Sequence, residues 1–406
     1  MAKKLLLITA KFPFGSGETF LETEVHYLAD AFERVQIVPI ERVTGEPRML
    51  PSNVSIIVLN SDSQNTSKLI LLTSVFNRDF FRELLRILFV YRLVPSPQRI
   101  KTALVSLFRG KQLSNWLEHK LKERSETVLY SYWCNDAAIG LSLYKRKNSS
   151  MRTVTRAHGW DLYFEASSIH YLPYRNMITD QLDLVCPVSE VGVRYVGEKW
   201  KCKNKVNIQL ARLGVEAQNP PTTQPELFTV VSCSNLIPLK RVHLIIEALS
   251  LFTEVPIRWI HFGDGPLSKE LCDLAERILP PNISWKFMGR IPNQDLLQWY
   301  RGNPVSVFIN VSETEGIPVS IMEAMSLGIP VLATAVGGTP EIVSEEVGSL
   351  LPKELLPEDL KKALEKMIML SANEWQQLAQ QAFTNWQENY NAEKNYRSFV
   401  AWLREI

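Results

Sequence analysis

VSVFINVSETEGIPVSIMEAMSLGIPVLATAVGG, residues 305–338, reads as a strand, a loop, a helix and a second strand. The run 305–310 is rich in β-branched and aromatic residues, as a buried strand is. Pro318 suits the first position of a helix over 318–327, where a missing N–H costs nothing. Gly328 ends that helix, and 329–334 begins the next strand. Glu315 then lies in the loop before the helix, and Glu323 about a turn and a half inside it. One carboxylate faces whatever docks at the strand end, and the other reaches the same place from the helix. The bare N–H groups of the helix start favour an anion between them. Such an arrangement suits a hydroxyl-rich phosphoester, and a nucleotide sugar has that make-up. Two glutamates eight positions apart are, taken alone, equally well two solvated helix charges. Gly316, Pro318, the flanking strands and the pair Gly337 and Gly338 set this instance apart.

On either side of this stretch the pattern repeats. Strand-like runs fall at 228–233, 257–262 and 283–288, with helical periodicity over 240–253, 266–279 and 293–302. Strands alternating with helices imply a parallel sheet covered on both faces. Ligands of such sheets bind beyond the carboxyl ends of the strands, so the residues just after each strand matter most. Toward the N-terminus, runs at 4–10, 35–40, 128–133, 152–157 and 183–188 read as strands of a second sheet. A helical insertion at 68–124 interrupts them. It carries twelve Lys/Arg against four Asp/Glu, a local excess of +8 in a chain whose net charge is +2. Its apolar residues fill helical faces, and a basic amphipathic segment can lie on an anionic membrane. Ordinary helix packing with solvated charges is the plainer reading. The polar, proline-rich 219–226 reads as a hinge between domains. The tail 373–406 is helical and holds Trp375, Trp386, Tyr390, Tyr396, Phe399 and Trp402, which need a surface to bury against; a return onto the first domain would supply one.

At 406 residues the chain exceeds what one hydrophobic core usually holds, so two domains are expected. With 46% hydrophobic and 22% charged residues it is globular material, and the small net charge makes no case for nucleic acid. The five cysteines (134, 186, 202, 233 and 272) are scattered and lack a C-x-x-C pair, which argues against a disulfide framework or structural zinc and fits a reducing compartment. The start MAKKLLLITAKFPFG has too short an apolar run for a signal peptide and reads as a buried strand. No run approaches the ~18 uninterrupted apolar residues of a membrane span.

Taken together, the loop of Glu315 and Glu323 with its Gly-Ile-Pro, SNLIPLKRVHLIIEAL (234–249), FGDGP (262–266) and FMGRIP (287–292) resemble the donor-binding half of a family 4 retaining glycosyltransferase of the GT-B fold. The first half matches more loosely, through Gly15, Gly17 and Glu18 after the first strand and RAHGWDLY (156–163). The wording is similar to bacterial enzymes of exopolysaccharide, capsule or lipopolysaccharide synthesis. The resemblance implies an α/β fold of two Rossmann-like domains facing across a cleft. Residues 1–218 would bind the acceptor and be completed by a helix at 387–406 that returns to them. Residues 219–386 would bind a UDP- or GDP-type sugar. It also implies no cofactor and no metal, and here no His, Asp or Cys cluster has metal-ligand spacing.

The same resemblance assigns roles residue by residue. Lys240 would hold the departing diphosphate, where a cation helps most in the transition state; otherwise it is a solvated lysine at a helix start. Five positions earlier the family has arginine and this chain has Asn235, which brings no charge; Arg241 either replaces that charge or is a surface residue. Glu323 would accept from the ribose hydroxyls, and Glu315 would sit by the sugar and phosphates. The N–H groups of Gly316, Ile317 and Val319 could meet the donor, whereas Pro318 has none. Gly263 and Gly265 suggest close approach of the ligand or a tight turn. The base would rest near Arg290 and Ile291. His158, after the strand 152–157, would contact the transferred sugar, with Glu315 and Lys240 as its catalytic companions. Glu18, Thr19 and Asp161 are candidates for the acceptor, Glu18 and Thr19 being equally suited to capping a helix. The expected reaction moves a sugar to a hydroxyl of a saccharide or lipid-linked saccharide, in the cytoplasm and peripherally on the inner face of the membrane. A nucleotide-sugar epimerase, or a membrane-docked sugar-binding protein without activity, would share the architecture.

Overall fold

The apolar runs become the strands of two parallel sheets, one in each of two compact units, Met1–Arg212 with Asn395–Ile406, and Leu213–Lys394. The structure is a computed structural model that describes all residues except 1–2, 16, 60–73, 75, 122–124, 202–206 and 219–223. Parts of the expected insertion (68–73, 75 and 122–124), of the expected hinge (219–223) and Cys202 therefore lie outside the described residues.

In the N-terminal unit the chain runs β1 (Lys4–Thr9), α1 (Phe20–Ala31), β2 (Arg34–Pro39), β3 (Val54–Ile56), α2 (Arg78–Phe89), α3 (Pro97–Lys120), β4 (Thr127–Ser131), α4 (Asp136–Lys147), β5 (Arg152–Ala157), α5 (Arg175–Gln181), β6 (Leu184–Pro187) and α6 (Glu190–Lys199). The strand order is β3-β2-β1-β4-β5-β6. Leu5 lies in register with Val35 on one side and Val128 on the other. Helices cover both faces, which is why KLLLIT is apolar without alternation. The expected basic insertion supplies α2 and α3.

The second unit repeats the plan: β7 (Phe228–Cys233), α7 (His243–Ser250), β8 (Ile257–Phe262), α8 (Ser268–Ile278), β9 (Ile283–Phe287), α9 (Asn293–Gly302), β10 (Val307–Asn310), α10 (Val319–Met325), β11 (Val331–Thr334), α11 (Thr339–Ile342), β12 (Gly348–Leu351), α12 (Pro357–Ile368) and α13 (Ala372–Asn389). Its order is β12-β11-β10-β7-β8-β9, so each sheet grows outward in both directions from its first strand. In this unit the direction of growth reverses between β7 and β10, and crevices for ligands open at such switch points.

Three expectations change. The edge strands β3 and β12 have no strong apolar run, being short and only partly buried, and sequence reading passes over both. Pro318 is the residue before α10 rather than its first; its ψ of 114° is extended, and the helix has only 7 residues. The division between units falls at Arg212 and Leu213, ahead of the proline-rich run. Val215 donates its N–H to the Tyr390 carbonyl and accepts from Ala392 N–H, which ties the start of the second unit to its end. The aromatic tail accordingly splits. Trp375 and Trp386 are buried in the second unit, where the Trp375 indole donates to the Ser306 carbonyl at 2.9 Å. Only α14 (Ala392–Glu405) carries the chain into the N-terminal unit, with Phe399, Val400 and Leu403 in the core beside Leu5, Leu7 and Tyr130.

Candidate active site

Lys240 follows β7 and Glu315 follows β10, so both stand at the switch point of the second sheet. Lys240 ends a short 3-10 turn, Pro238–Lys240, and its ammonium forms an ion pair with Glu315 Oε1. Asn310 Nδ2, at the end of β10, donates to the same oxygen at 3.2 Å. The main chains of the two loops join as well: Glu313 N–H donates to the Leu239 carbonyl at 2.9 Å. The lysine is thus held in place before any ligand arrives, with its side chain one-fifth exposed.

The position of Glu315 depends on the loop after β11. Gly338 N–H donates to the Gly316 carbonyl at 2.7 Å. Gly337 has φ +53°, and a Cβ there would lie 1.8 Å from the Glu315 carbonyl oxygen. Only glycine permits both the left-handed backbone and that contact.

Glu323 lies on α10 and is 8% exposed. Burial pushes its carboxyl up to about 7, although Asn293 Nδ2 donates to Oε1 at 2.5 Å and works against the rise. Asn293 opens α9. Its polar side chain just after the β9 loop is a signal that sequence reading did not use, as is Asn310 at the end of an apolar strand.

The loops after β7, β8 and β9 brace one another. Gly263 N–H donates to the Gly289 carbonyl at 2.9 Å, and Leu236 N–H donates to the Asp264 carbonyl at 3.0 Å. A Cβ on Gly263 would lie 1.8 Å from the Ser234 carbonyl oxygen, and one on Gly265 would lie 2.4 Å from that of Leu236. These glycines are required by the chain's own neighbouring loop. Asp264 stays in the turn, accepting from Gly265 N–H at 2.7 Å and from the Ser268 hydroxyl, and these bonds hold its carboxyl below the usual range. Arg241 is corrected too. Its guanidinium donates to the carbonyls of Val311 (2.8 Å), Ser312 (3.1 Å) and Lys353 (3.1 Å), so it clamps main chain. The cation that reaches position 235 is Arg290, whose Nη2 donates to Asn235 Oδ1 at 2.9 Å. Ile291 follows it in the same loop. Beneath, His261 is buried and bonded at both nitrogens, to the Ser232 hydroxyl (2.8 Å) and the Ser234 carbonyl (3.2 Å), and burial lowers its pKa to about 4.

In the N-terminal unit the loop after β1 folds around Glu18. Its carboxylate accepts the N–H groups of Ala10, Lys11 and Phe12 and the indole N–H of Trp133, at 2.7–2.9 Å. A carboxylate has about four acceptor positions, so none is left for an acceptor hydroxyl and that expectation is corrected. Arg48 donates to the carbonyls of Gly15 and Gly17 and closes the loop from outside. Thr19 precedes α1, exposed and making no capping bond. Asp161 is fully buried and accepts the N–H groups of His158 (2.7 Å) and Cys134 (2.8 Å). It positions the loops after β4 and β5 instead of meeting a ligand. His158 packs against the rings of Tyr132 (4.7 Å) and Trp133 (4.5 Å), and its buried ring nitrogens have no hydrogen-bond partner, Nδ1 lying 3.7 Å from the Asp161 carboxylate. Half-exposed Trp160 packs on Trp133 at 5.2 Å. Among the described residues no group of three or more His, Cys, Asp or Glu is placed to hold a metal ion.

The sequence pattern of the family described as Glycosyl transferases group 1 matches residues 216–384, the stretch that builds the Lys240–Glu315 site. This stretch is similar to a group 1 glycosyltransferase domain. The Escherichia coli K12 protein named colanic acid biosynthesis glycosyltransferase WcaL is 25% identical over 63% of this chain and 64% of its own length. Its Salmonella typhimurium LT2 namesake is 27% identical over 50% and 52%. The chain thus spans less than two thirds of the length of these curated relatives. Among solved structures, the lipopolysaccharide outer core galactosyltransferase WaaB in its apo form superposes with a TM-score of 0.69, at 13% identity, over 99% of this chain and all of that one. Anabaena HepE in complex with UDP and glucose gives 0.66 at 15% identity over the same shares. The α/β two-domain architecture is that of GT-B glycosyltransferases. Within residues 216–384, the fold pairs Lys240 with Glu315 and ties Asn235 to Arg290, a contact that the order of motifs did not suggest.

Proposed function

We propose that the protein is a family 4 transferase that moves a sugar from a UDP- or GDP-type donor to a hydroxyl of a saccharide or lipid-linked saccharide, in the synthesis of a cell-surface polysaccharide. The observation that carries this is the Lys240–Glu315 pair at the switch point, with Glu323 buried on the helix that follows. The names of the relatives point the same way, as does UDP in the neighbour HepE. In this reading the donor diphosphate takes the Lys240 ammonium, with Arg290 as the second cation. Glu323 accepts from the ribose, and the base rests by Ile291. The backbone of Gly316, Ile317 and Val319, with Pro318 holding the turn, borders the sugar, and Glu315 positions it. In the N-terminal unit Gly15 and Gly17 border the donor, Thr19 is the remaining acceptor candidate, and His158 offers Nε2, the ring nitrogen away from Asp161, to a sugar hydroxyl. The bond from C1 to the diphosphate breaks while a bond from C1 to the acceptor oxygen forms on the same face. The acceptor proton passes to the departing phosphate oxygen, so configuration is retained. No metal or cofactor enters this scheme, and the work is cytoplasmic, at the inner face of the membrane.

Incubation with a panel of nucleotide sugars, with and without saccharide acceptors, tests the proposal. Products of retained anomeric configuration by proton NMR are expected. An isomerised donor formed without acceptor would mean an epimerase, and no turnover with no nucleotide binding would mean a scaffold.

The raised carboxyl of Glu323 gives a second expectation. Below pH 7 it is protonated in the free protein and is a poorer acceptor for hydroxyls. Donor KM should fall as pH rises from 6 to 8, with a step near 7. Glu323→Gln keeps the Asn293 partner and should flatten that step while raising KM. The stability contribution has the opposite sense. The folded pKa lies above the unfolded 4.5, so the folded state binds the extra proton and stability declines as pH rises from 4.5 through 7.

Gly337→Ala should push the Glu315 main chain out of place. Its left-handed backbone alone costs about 1–2 kcal/mol. Titration calorimetry with UDP or GDP, whichever the wild type binds, is expected to read at least about a tenfold loss of affinity, since 1.4 kcal/mol is tenfold. Gly302→Ala, where a Cβ meets nothing within 4 Å, serves as the control and should bind normally.

A further inference from the structure

Helix α2 is apolar on two opposite sides. Phe80 and Ile87 face the core, and between them the buried Glu83 carboxylate accepts from the Tyr171 hydroxyl (2.8 Å) and Tyr174 N–H (2.9 Å). Asp79 pairs with Arg146 through two bonds, at 2.8 and 2.7 Å, which pins the start of the helix. The helix is therefore fixed, and its other side faces solvent. That side carries Phe81, Leu85, Leu88 and Phe89, at the i, i+4, i+7, i+8 spacing of one stripe. Phe76 before the helix and Val94 after it are more exposed still, at 78% and 76%.

Charge decides what fits this surface. Both acidic residues of α2 are committed elsewhere, Asp79 to Arg146 and Glu83 to the interior. Arg78 and Arg82 are exposed within about 60° of Leu85 around the helix, by the 3.6-residue turn. Arg92 is exposed just beyond its end. A stripe of apolar side chains interleaved with arginines, and free of acids, matches an anionic lipid surface. Leucine and phenylalanine enter the acyl boundary, while the guanidinium groups stay among the headgroups. A protein partner would have to supply acids to each of these arginines or leave them unpaired. The helix is too short to span a bilayer, and among the described residues no helix is long and apolar enough to do so.

We propose that α2, with Phe76 and Val94, lies in the plane of an anionic membrane and docks the N-terminal unit there. This deepens the peripheral location proposed above.

The test is flotation of the full-length protein with phosphatidylglycerol–phosphatidylcholine vesicles, against phosphatidylcholine alone. Wild type should float with the anionic vesicles and far less with the neutral ones. The variant Leu85→Ser, Leu88→Ser, Phe89→Ser spares Phe81, whose ring packs on the core Phe80, and its vesicle affinity should fall at least about tenfold at an unchanged melting temperature. Arg78→Ala with Arg82→Ala should weaken binding to anionic vesicles and leave the neutral ones unaffected. The proposal is overturned if wild type ignores anionic vesicles, or if the serine variant floats as well as wild type. A dimer that the serine variant abolishes in sedimentation, without vesicle binding, would assign the stripe to a second copy and equally overturn it. Transfer to a water-soluble acceptor should survive the serine changes, so failed docking and failed transfer are read separately.

Discussion

Replacing Lys240 by alanine is expected to lower kcat/KM for sugar transfer by about two to three orders of magnitude and to leave the fold intact. Removing one pre-placed stabiliser of developing negative charge costs about that much, roughly 3–4 kcal/mol of barrier. The departing diphosphate gains charge as the glycosidic bond breaks, so the lysine helps the transition state more than the ground state. The loss should therefore appear in kcat as well as in KM. Stability should change little, by about 1 kcal/mol at most, because the Lys240–Glu315 pair is partly exposed and Asn310 still serves the carboxylate. Lys240→Arg should recover part of the rate, since the charge remains and its position changes. Steady-state kinetics and thermal melting of the two variants check this.

The largest effect on stability is expected far from that site, at Glu24 and Arg156. Both side chains are fully buried and form an ion pair. The Tyr130 hydroxyl donates to the same carboxylate at 3.0 Å, and the guanidinium lies over the Phe399 ring at 4.1 Å. Neighbouring Glu24 holds the Arg156 pKa above its ordinary value despite the burial that opposes it. Removing one partner leaves an uncompensated buried charge, which costs about 3–5 kcal/mol. Glu24→Ala should lower the melting temperature of the N-terminal unit by roughly 10 °C, taking a few degrees per kcal/mol. Because Arg156 also touches Phe399, α14 should loosen with it, and limited proteolysis should cut near 390–392 faster than in wild type. Glu24→Met with Arg156→Met removes both charges and should melt above either single variant.

The central strands and the order of the motifs were readable because both rest on spacing. A buried parallel strand is a continuous apolar run, and a loop that follows one lies at the sheet edge wherever the rest of the chain goes. What a side chain bonds was harder to read. Glu18 after a glycine loop looked like a ligand contact, yet its carboxylate is filled by three nearby N–H groups and by Trp133, 115 positions away. Arg241 beside Lys240 seemed the natural substitute for a missing charge, yet the left-handed turn at Arg241 sends it to carbonyls near residue 312, while Arg290, 55 positions on, reaches Asn235. The glycines of GDGP serve a neighbouring loop, a pressure that composition does not record. Edge strands β3 and β12 escaped notice because a half-exposed strand of three or four residues needs no apolar signature.

A crystal structure of the protein soaked with UDP or GDP, whichever calorimetry finds to bind, puts the site to its sharpest test. The diphosphate should lie within hydrogen-bond distance of Lys240 Nζ, with the ammonium moved from Glu315 toward phosphate, and the ribose should meet Glu323. Nucleotide bound elsewhere, with the Lys240–Glu315 pair undisturbed, would refute the assignment.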